Sequence, residues 1–400
     1  MDRCRADGGS PEFRVYSVAD YLWMIADETR VSAYAGAIRA AVRAGDHVLD
    51  VGAGFGFFSV LAAQSGAGRV DAVDTNPTVH LGPRVAEANK CEDRIFFHHL
   101  EAARLTLDRP ADVIVSDLRG PTPFAGRALQ VLIDVRRRLL RPGGVMIPAR
   151  DTVFVAPARV PAVVGREVHA ARGREGVVMT PVERVLDDTP FRCAIQPGDL
   201  LAPGQPWARI DYGAINSAHV EGGGEWTFQE AGCVSGLATW FDTELGNGFG
   251  FSSAPGAAAQ AYKQIYIPFR SSVSVGQGQR LRVHLALRLV LQDYVWAWRV
   301  YVSSGDSGRE REVLNQNSLA EIVIDPSRLH RAVPDTVPRL GQRGRSLQSI
   351  LAGMDGQRST RDLALSLHRE SPGMFPDIGS ASAFVVEWIA RIAELDRGTS

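Results

Sequence analysis

Apolar positions in the N-terminal third repeat with two different periods. From about Val15 to Val42 they fall at three- and four-residue spacing (Val18, Tyr21, Leu22, Ile25), which predicts helix. His47-Val48-Leu49-Asp50-Val51 is a short apolar run after Gly45-Asp46 and reads as a buried strand. A glycine-rich loop follows, then a helical run from Phe57 to Ser65. Val70 to Asp74 reads as a second strand and Thr78 to Lys90 as a second helix. Ile95-Phe96-Phe97 and Asp112 to Ser116 read as further strands, and Ala128 to Leu140 as a helix stopped at Arg141-Pro142-Gly143-Gly144. Strands alternating with helices predict a parallel, doubly wound sheet.

The pattern changes near Ile147-Pro148. From Thr152 to Val302 short strand-like runs dominate, among them Val153–Val155, Ala208–Ile210, Val234–Phe241, Gln264–Ile267, Leu281–Leu291 and Val295–Val302. Turns rich in Gly, Pro and Ser separate them, which predicts an all-β barrel or sandwich. A helical stretch from about Pro161 to Ala171 projects from it. A second boundary lies at Pro334 to Gly344, followed by three helical runs, Leu347–Met354, Thr360–His368 and Ala383–Leu395. The domain reading is therefore 1–148, an α/β nucleotide-binding domain with N-terminal helices; 149–333, a β-barrel; and 345–397, a small helical domain.

Composition narrows the function classes. The 400 residues are 45% hydrophobic, enough for a sizeable core in two or three domains. With 44 basic and 45 acidic residues the net charge is -1, so no global footprint for nucleic acid is present. The four cysteines form no CxxC pair, and the nine histidines lack metal-ligand spacing, so no metal is expected. No apolar run reaches membrane-spanning length and no signal peptide is evident. A cytoplasmic protein is expected.

The glycine loop carries the first chemistry. Asp50-Val51-Gly52-Ala53-Gly54-Phe55-Gly56 joins a strand to a helix, and Asp74 ends the next strand about twenty residues on, where a carboxylate can accept from both ribose hydroxyls. The spacing Gly-x-Gly-x-Gly resembles motif I of the class I S-adenosylmethionine methyltransferases, not the dinucleotide fingerprint; a related fold with another nucleotide is the alternative. Met24-Ile25-Ala26-Asp27-Glu28-Thr29-Arg30 with Tyr34 resembles the helix that precedes the core in the protein arginine methyltransferases. That resemblance implies that Arg30 pairs with the cofactor carboxylate, for which a guanidinium fork is suited. It also implies cofactor roles for Asp50, Gly52, Gly54, Asp74 and Glu101, the last at the adenine amino group. Asp151 to Val155, Gly236 to Asp242, Gly250 to Pro255 and Tyr262-Lys263-Gln264 are similar to barrel segments of the same family, so the likeness runs from about Val15 to Ser303.

The resemblance fails at the acceptor loop. Arginine methyltransferases hold the substrate guanidinium between two glutamates on one loop. Here that loop is Ser116-Asp117-Leu118-Arg119-Gly120-Pro121-Thr122-Pro123-Phe124-Ala125-Gly126-Arg127. The first glutamate position holds Asp117, the second Gly126, and Arg119 and Arg127 add positive charge. The family's barrel histidine falls on Ala261. A buried guanidinium would lack a partner, which costs several kcal/mol as an order of magnitude. Asp117 is the candidate catalytic residue, as base or amine anchor. By analogy with the family, Tyr16, Tyr21, Trp23 and Tyr262 would line an aromatic acceptor pocket, although packing roles fit Tyr21 and Trp23 as well.

The expected function is S-adenosylmethionine-dependent methylation of a nitrogen or electron-rich aromatic carbon, indole-type for example, in a small-molecule or peptide natural product. Protein arginine methylation with a degenerate loop and a non-catalytic binding homologue are the alternatives. The family's head-to-tail dimers, joined by an arm, imply a homodimer through Arg159 to Met179. Ser346 to Leu395 resembles a winged-helix module that binds leader peptides; a helical appendage capping the barrel or dimer fits equally.

Overall fold

A computed structural model of the chain describes residues 16–165, 174–179, 184–258, 261–290, 292–303, 310–321, 337 and 339–392. The chain divides into two compact units, residues 1–322 and 323–400.

The predicted N-terminal helix is two helices, α1 (Val18–Ile25) and α2 (Glu28–Ala41). Ser17 and Asp20 cap α1 reciprocally. Asp27 interrupts the run because its side chain accepts from the Arg30 amide and starts α2. No residue of α1 is buried, whereas α2 buries Arg30, Tyr34, Ala37 and Ile38 on one face.

Five strands, β1 (His47–Val51), β2 (Arg69–Asp74), β3 (Ile95–His99), β4 (Ala111–Ser116) and β5 (Leu140–Ile147), form a parallel sheet in the order β3-β2-β1-β4-β5. Helices α3 (Phe57–Gln64), α4 (Gly82–Ala88) and α5 (Ala128–Leu139) provide crossovers. The helix expected over Thr78 to Lys90 is a 3-10 turn, Pro77–Leu81, followed by α4. Pro83 lies in the first turn of α4, where its missing N–H is not needed. Strand β5 has no counterpart in the sequence reading; it begins at the residue after α5, and left-handed Gly143 (φ 71°) lets Pro142 be accommodated at its start.

The antiparallel part holds two further sheets. β6 (Arg150–Ala158), β7 (Phe191–Cys193), β8 (Gln205–Asp211), β10 (Gly232–Gly246), β11 (Phe249–Ser252) and β12 (Gln264–Val275) form one, in the order β7-β12-β10-β6-β8 with β11 beside β10. β9 (Val220–Thr227), β13 (Arg280–Val290), β14 (Asp293–Ser303) and β15 (Glu310–Asn317) form the other, in the order β15-β14-β13-β9. Together they make the expected β-barrel domain. β15 escaped the sequence reading because its Glu-Arg-Glu-Val-Leu-Asn-Gln-Asn run is mostly polar.

The boundary near Pro148 is a change of topology without a break in the core. One cluster of buried residues runs from Ile38, Val48 and Val115 of the α/β part to Phe241, Ile267 and Trp298 of the barrel. Phe124, from the loop after β4, sits among Trp207, Tyr294 and Trp296 at centroid distances of 5.6, 5.6 and 6.2 Å. The helical stretch from Pro161 starts as expected, but 166–173 lie outside the described residues, as does 180–183; the proposed arm is therefore described only in part.

The second unit contains α6 (Gln342–Gly353), α7 (Thr360–Glu370) and α8 (Ile378–Ile392) around Ile350, Leu363, Leu367, Phe375, Phe384 and Val385. Its helices match the expectation. Among its described residues there is no strand that would serve as a wing.

Candidate active site

In a sheet of order β3-β2-β1-β4-β5, the crossovers leave β1 in opposite directions, opening a crevice at the carboxyl ends of the strands. Asp50 and Asp74 lie at the ends of β1 and β2, and Asp117 follows β4, so the topology gathers these three carboxylates at one edge. The register aligns Val51 with Ser116 and with Val73, which brings the glycine loop alongside the Asp117 loop.

The glycine loop requires its glycines. Gly52, Gly54 and Gly56 have φ values of 80°, 55° and 87°. A β-carbon on Gly52 would lie 2.4 Å from the Leu118 side chain, and one on Gly54 2.5 Å from the Tyr21 ring. The Gly54 amide donates to Asp74 Oδ2 at 2.7 Å and the Asn76 amide to Oδ1 at 2.7 Å, so the Asp74 carboxylate is fixed from both sides. Asp50 is fully buried. Ser59 Oγ donates to its Oδ2 at 2.6 Å, while Oδ1 has no partner. Burial pushes the Asp50 carboxyl up to about 7, opposed by the Ser59 hydrogen bond. An unpartnered buried carboxylate oxygen beside a glycine loop suits a cation such as the ammonium of a donor amino acid. The residues present thus fit S-adenosylmethionine: Asp74 for the ribose, Asp50 for the ammonium. Glu101 stands exposed at the end of the β3 segment.

Arg30 lies on the buried face of α2. Its Nε donates to Asp117 Oδ2 at 2.6 Å, its Nη2 lies 2.5 Å from the same oxygen, and Nη1 donates to the Met24 carbonyl at 2.8 Å. The Tyr262 hydroxyl reaches both oxygens of Asp117, at 2.7 and 2.8 Å. Asp117 is buried, yet Arg30 and Arg119 hold its carboxyl below the usual range by outweighing desolvation. A carboxylate stabilised in this way is a weak proton acceptor and a good hydrogen-bond acceptor.

Of the four candidate acceptor aromatics, Tyr262 alone touches Asp117. Tyr21 packs edge-on against Phe55 of the glycine loop, with Tyr16 edge-on to it at 5.9 Å, so both stand on the cofactor side. Burial and the nearby Asp74 raise the Tyr21 phenol well above its ordinary value. Trp23 is 78% exposed and contributes nothing to this pocket. Ala261, at the family's histidine position, donates its amide to Asp27 Oδ2 at 2.8 Å.

Three participants went unassigned in the sequence reading. Tyr34 donates to the Ser116 carbonyl at 2.9 Å and accepts from Arg119 Nη2 at 2.6 Å. Arg119, noted only as excess charge, is buried, with Nη1 donating to Asp151 Oδ1 at 2.7 Å. Asp151 in turn accepts from the Tyr212 hydroxyl at 2.6 Å. Gly126, where the family's second carboxylate would stand, has φ 50°; its amide donates to Asp293 Oδ1 at 3.2 Å. Among the described residues no cluster of His, Cys, Asp or Glu could hold a metal, and no helix is long and apolar enough to cross a membrane.

Comparison with known proteins agrees with this geometry. Residues 32–148 match the family described as Ribosomal protein L11 methyltransferase (PrmA). A "Probable protein arginine N-methyltransferase 6" of Arabidopsis thaliana is 31% identical over 170 residues, 42% of this chain, and the match spans 39% of that relative's length. The "Arginine N(omega)-methyltransferase" of Streptomyces achromogenes subsp. streptozoticus is 27% identical over 277 residues, 68% of this chain and 75% of the relative. Among solved structures, Arabidopsis thaliana protein arginine methyltransferase 10 superposes with a TM-score of 0.65 at 18% identity, covering 75% of this chain and 97% of that one. The Trypanosoma brucei PRMT1 enzyme-prozyme complex with AdoHcy gives 0.64 at 18% identity, covering 74% and 96%. Residues 32–148 thus resemble a methyltransferase domain, and the α/β part with its barrel is similar in fold to the arginine methyltransferases.

Proposed function

We propose that this chain transfers the methyl group of S-adenosylmethionine to a nitrogen of a small-molecule or peptide natural product, and that the acceptor is not an arginine side chain. One observation carries the reading: the loop from β4 to α5 offers a single carboxylate, Asp117, already held by Arg30, Arg119 and Tyr262. At the second position Gly126 has no side chain, so a guanidinium fork would find one anchor and remain free to swing. The relatives are named as N-methyltransferases, which favours nitrogen over an aromatic carbon as the acceptor atom.

Methyl transfer is an in-line displacement, and its demand on the protein is alignment. Asp74 and Asp50 would hold the donor at ribose and ammonium, and Arg30, now on Asp117, would be the partner for the donor's carboxylate. Asp117 then accepts an N–H from the incoming nitrogen and fixes its lone pair toward the methyl group. Arg119 still faces Asp117 when Arg30 is engaged elsewhere, so the pocket keeps a positive charge and suits an uncharged nitrogen, which Asp117 orients through its hydrogen bond. Tyr262 closes the same pocket; a homodimer through the 159–179 segment, a cytoplasmic location and leader-peptide binding by the second unit belong to this reading.

The test incubates the protein with methyl-labelled donor and, in parallel, Gly-Arg-rich peptides, free L-arginine, and neutral amine-, amide- and indole-bearing compounds. Label on an uncharged nitrogen is expected. Arginine methylation is the second reading, favoured by the Streptomyces relative named Arginine N(omega)-methyltransferase; robust label on arginine would establish it and overturn the first. A protein that binds no donor would be a non-catalytic homologue.

A further inference from the structure

Arg119 presents a complete guanidinium site whose occupant is part of the chain. A guanidinium carries five N–H donors. Nη1 donates to Asp151 Oδ1 and to Thr243 Oγ1, both at 2.7 Å. Nη2 donates to the Tyr34 hydroxyl at 2.6 Å and to Asp117 Oδ1 at 3.3 Å, and Nε reaches that same oxygen at 3.4 Å. The rings of Phe241 and Tyr262 stand 5.1 and 5.7 Å from its central carbon. The side chain is almost wholly excluded from solvent.

We propose that Arg119 is the specificity-determining residue of the acceptor pocket, an internal guanidinium that fills the place and the charge a cationic acceptor would need. The inference rests on the pocket being the methyl-transfer site. Arg30 and Arg119 face Asp117 and Asp151, two cations against two anions. Once the donor carboxylate has drawn Arg30 away, Arg119 still sits against both carboxylates, and the sulfonium brings one more positive charge. A second cation entering beside them would be buried without a partner, whereas a neutral acceptor leaves the balance intact. The contacts are also directional: Asp151 is anchored by Tyr212, and Tyr34 is anchored by the Ser116 carbonyl, so the acceptor groups around Arg119 cannot simply turn to another ligand.

The experiment is calorimetry on the full chain saturated with sinefungin, a donor analogue whose ammonium supplies the positive charge of the sulfonium, titrated with ethylguanidinium and with its neutral isostere ethylurea at millimolar concentrations. Wild type should show no ethylguanidinium binding. Arg119→Ala should bind ethylguanidinium at least about tenfold more tightly than ethylurea, the discrimination of one compensated buried charge. Arg119→Lys, which keeps the charge, should bind ethylguanidinium no better than wild type does. A role in packing alone would not separate the cation from its isostere. Equal ethylguanidinium affinity in wild type and Arg119→Ala overturns the proposal, and the wild-type titration does so alone if ethylguanidinium binds there at submillimolar concentration. Failure of wild type to bind sinefungin overturns the methyl-transfer reading itself, a distinguishable outcome.

Discussion

Arg30 and Asp117 are 87 residues apart in the chain, yet Arg30 Nε donates to Asp117 Oδ2 at 2.6 Å inside the buried site. The pair ties the helix before the sheet to the loop after β4. In the proposed reading the donor's carboxylate would compete with Asp117 for Arg30.

That competition fixes the sign of two substitutions. Arg30→Ala should weaken donor binding by about 1.5–3 kcal/mol, the range for a hydrogen bond to a charged group. Asp117→Asn should leave donor affinity unchanged or tighten it, because Arg30 no longer leaves a carboxylate, and should abolish transfer to the acceptor. Calorimetry reads the first two effects and a labelled-donor assay the third. Weaker donor binding by Asp117→Asn would contradict the shared-arginine arrangement.

Asp74→Ala should cost the donor a comparable amount, about 1.5–3 kcal/mol. The ribose hydroxyls lose their acceptor, and the Gly54 amide, which donates to Asp74 at 2.7 Å, loses the contact that shapes the loop. Unchanged affinity would remove Asp74 from the donor site.

Asp50 makes donor binding pH-dependent. Its folded-state carboxyl is pushed up to about 7 by burial, above an unfolded value near 4. In the free protein its contribution to stability therefore falls as pH rises from about 4 to about 7 and is level above that. An ammonium binds the ionised form, so below about 7 donor binding releases a proton and affinity should rise up to about tenfold per pH unit, flattening above 7. Isothermal titration in buffers of different ionisation heat measures the proton released. Asp50→Asn should abolish both the slope and the proton.

Asp71 is the expected point of acid failure. Buried in β2, it accepts from His47 at 2.6 Å, His98 at 2.7 Å and Arg69 at 2.7 Å. These hydrogen bonds outweigh desolvation and hold its carboxyl far below the usual range. A depressed folded value gives stability that is present above about pH 4 and is lost as pH falls below it. Thermal unfolding of Asp71→Asn should show a lower Tm at neutral pH and a shallower acid-side decline than wild type. An unchanged decline would place acid sensitivity elsewhere.

What the sequence made legible was local. Gly52, Gly54, Gly56 and Asp74 stand in fixed spacing on consecutive elements, and the structure joins the loop to Asp74 through the Gly54 amide. Asp117 stood out only through the resemblance, as the residue at the first glutamate position of the acceptor loop. Arg119 and Asp151 did not stand out, because their partnership spans 32 residues and joins an α/β loop to a barrel strand. Nothing local distinguishes a buried, paired arginine from a solvated one. Trp23 shows the opposite difficulty: it carries the residue type of an acceptor pocket but stands exposed on a helix that buries nothing. Strand β5 was hidden by Pro142 and two glycines, residues that usually end a strand.

The unbroken core across Pro148 means that this protein is not modular there. Phe124 belongs to the α/β loop by sequence and to the barrel by packing, and Tyr34 of α2 lies 6.4 Å from Phe251 of β11. A fragment cut at residue 148 would bare these aromatic faces together and should collapse or aggregate when expressed alone. Any chimera built to change the acceptor must therefore carry the loop and the barrel strands as one inherited block.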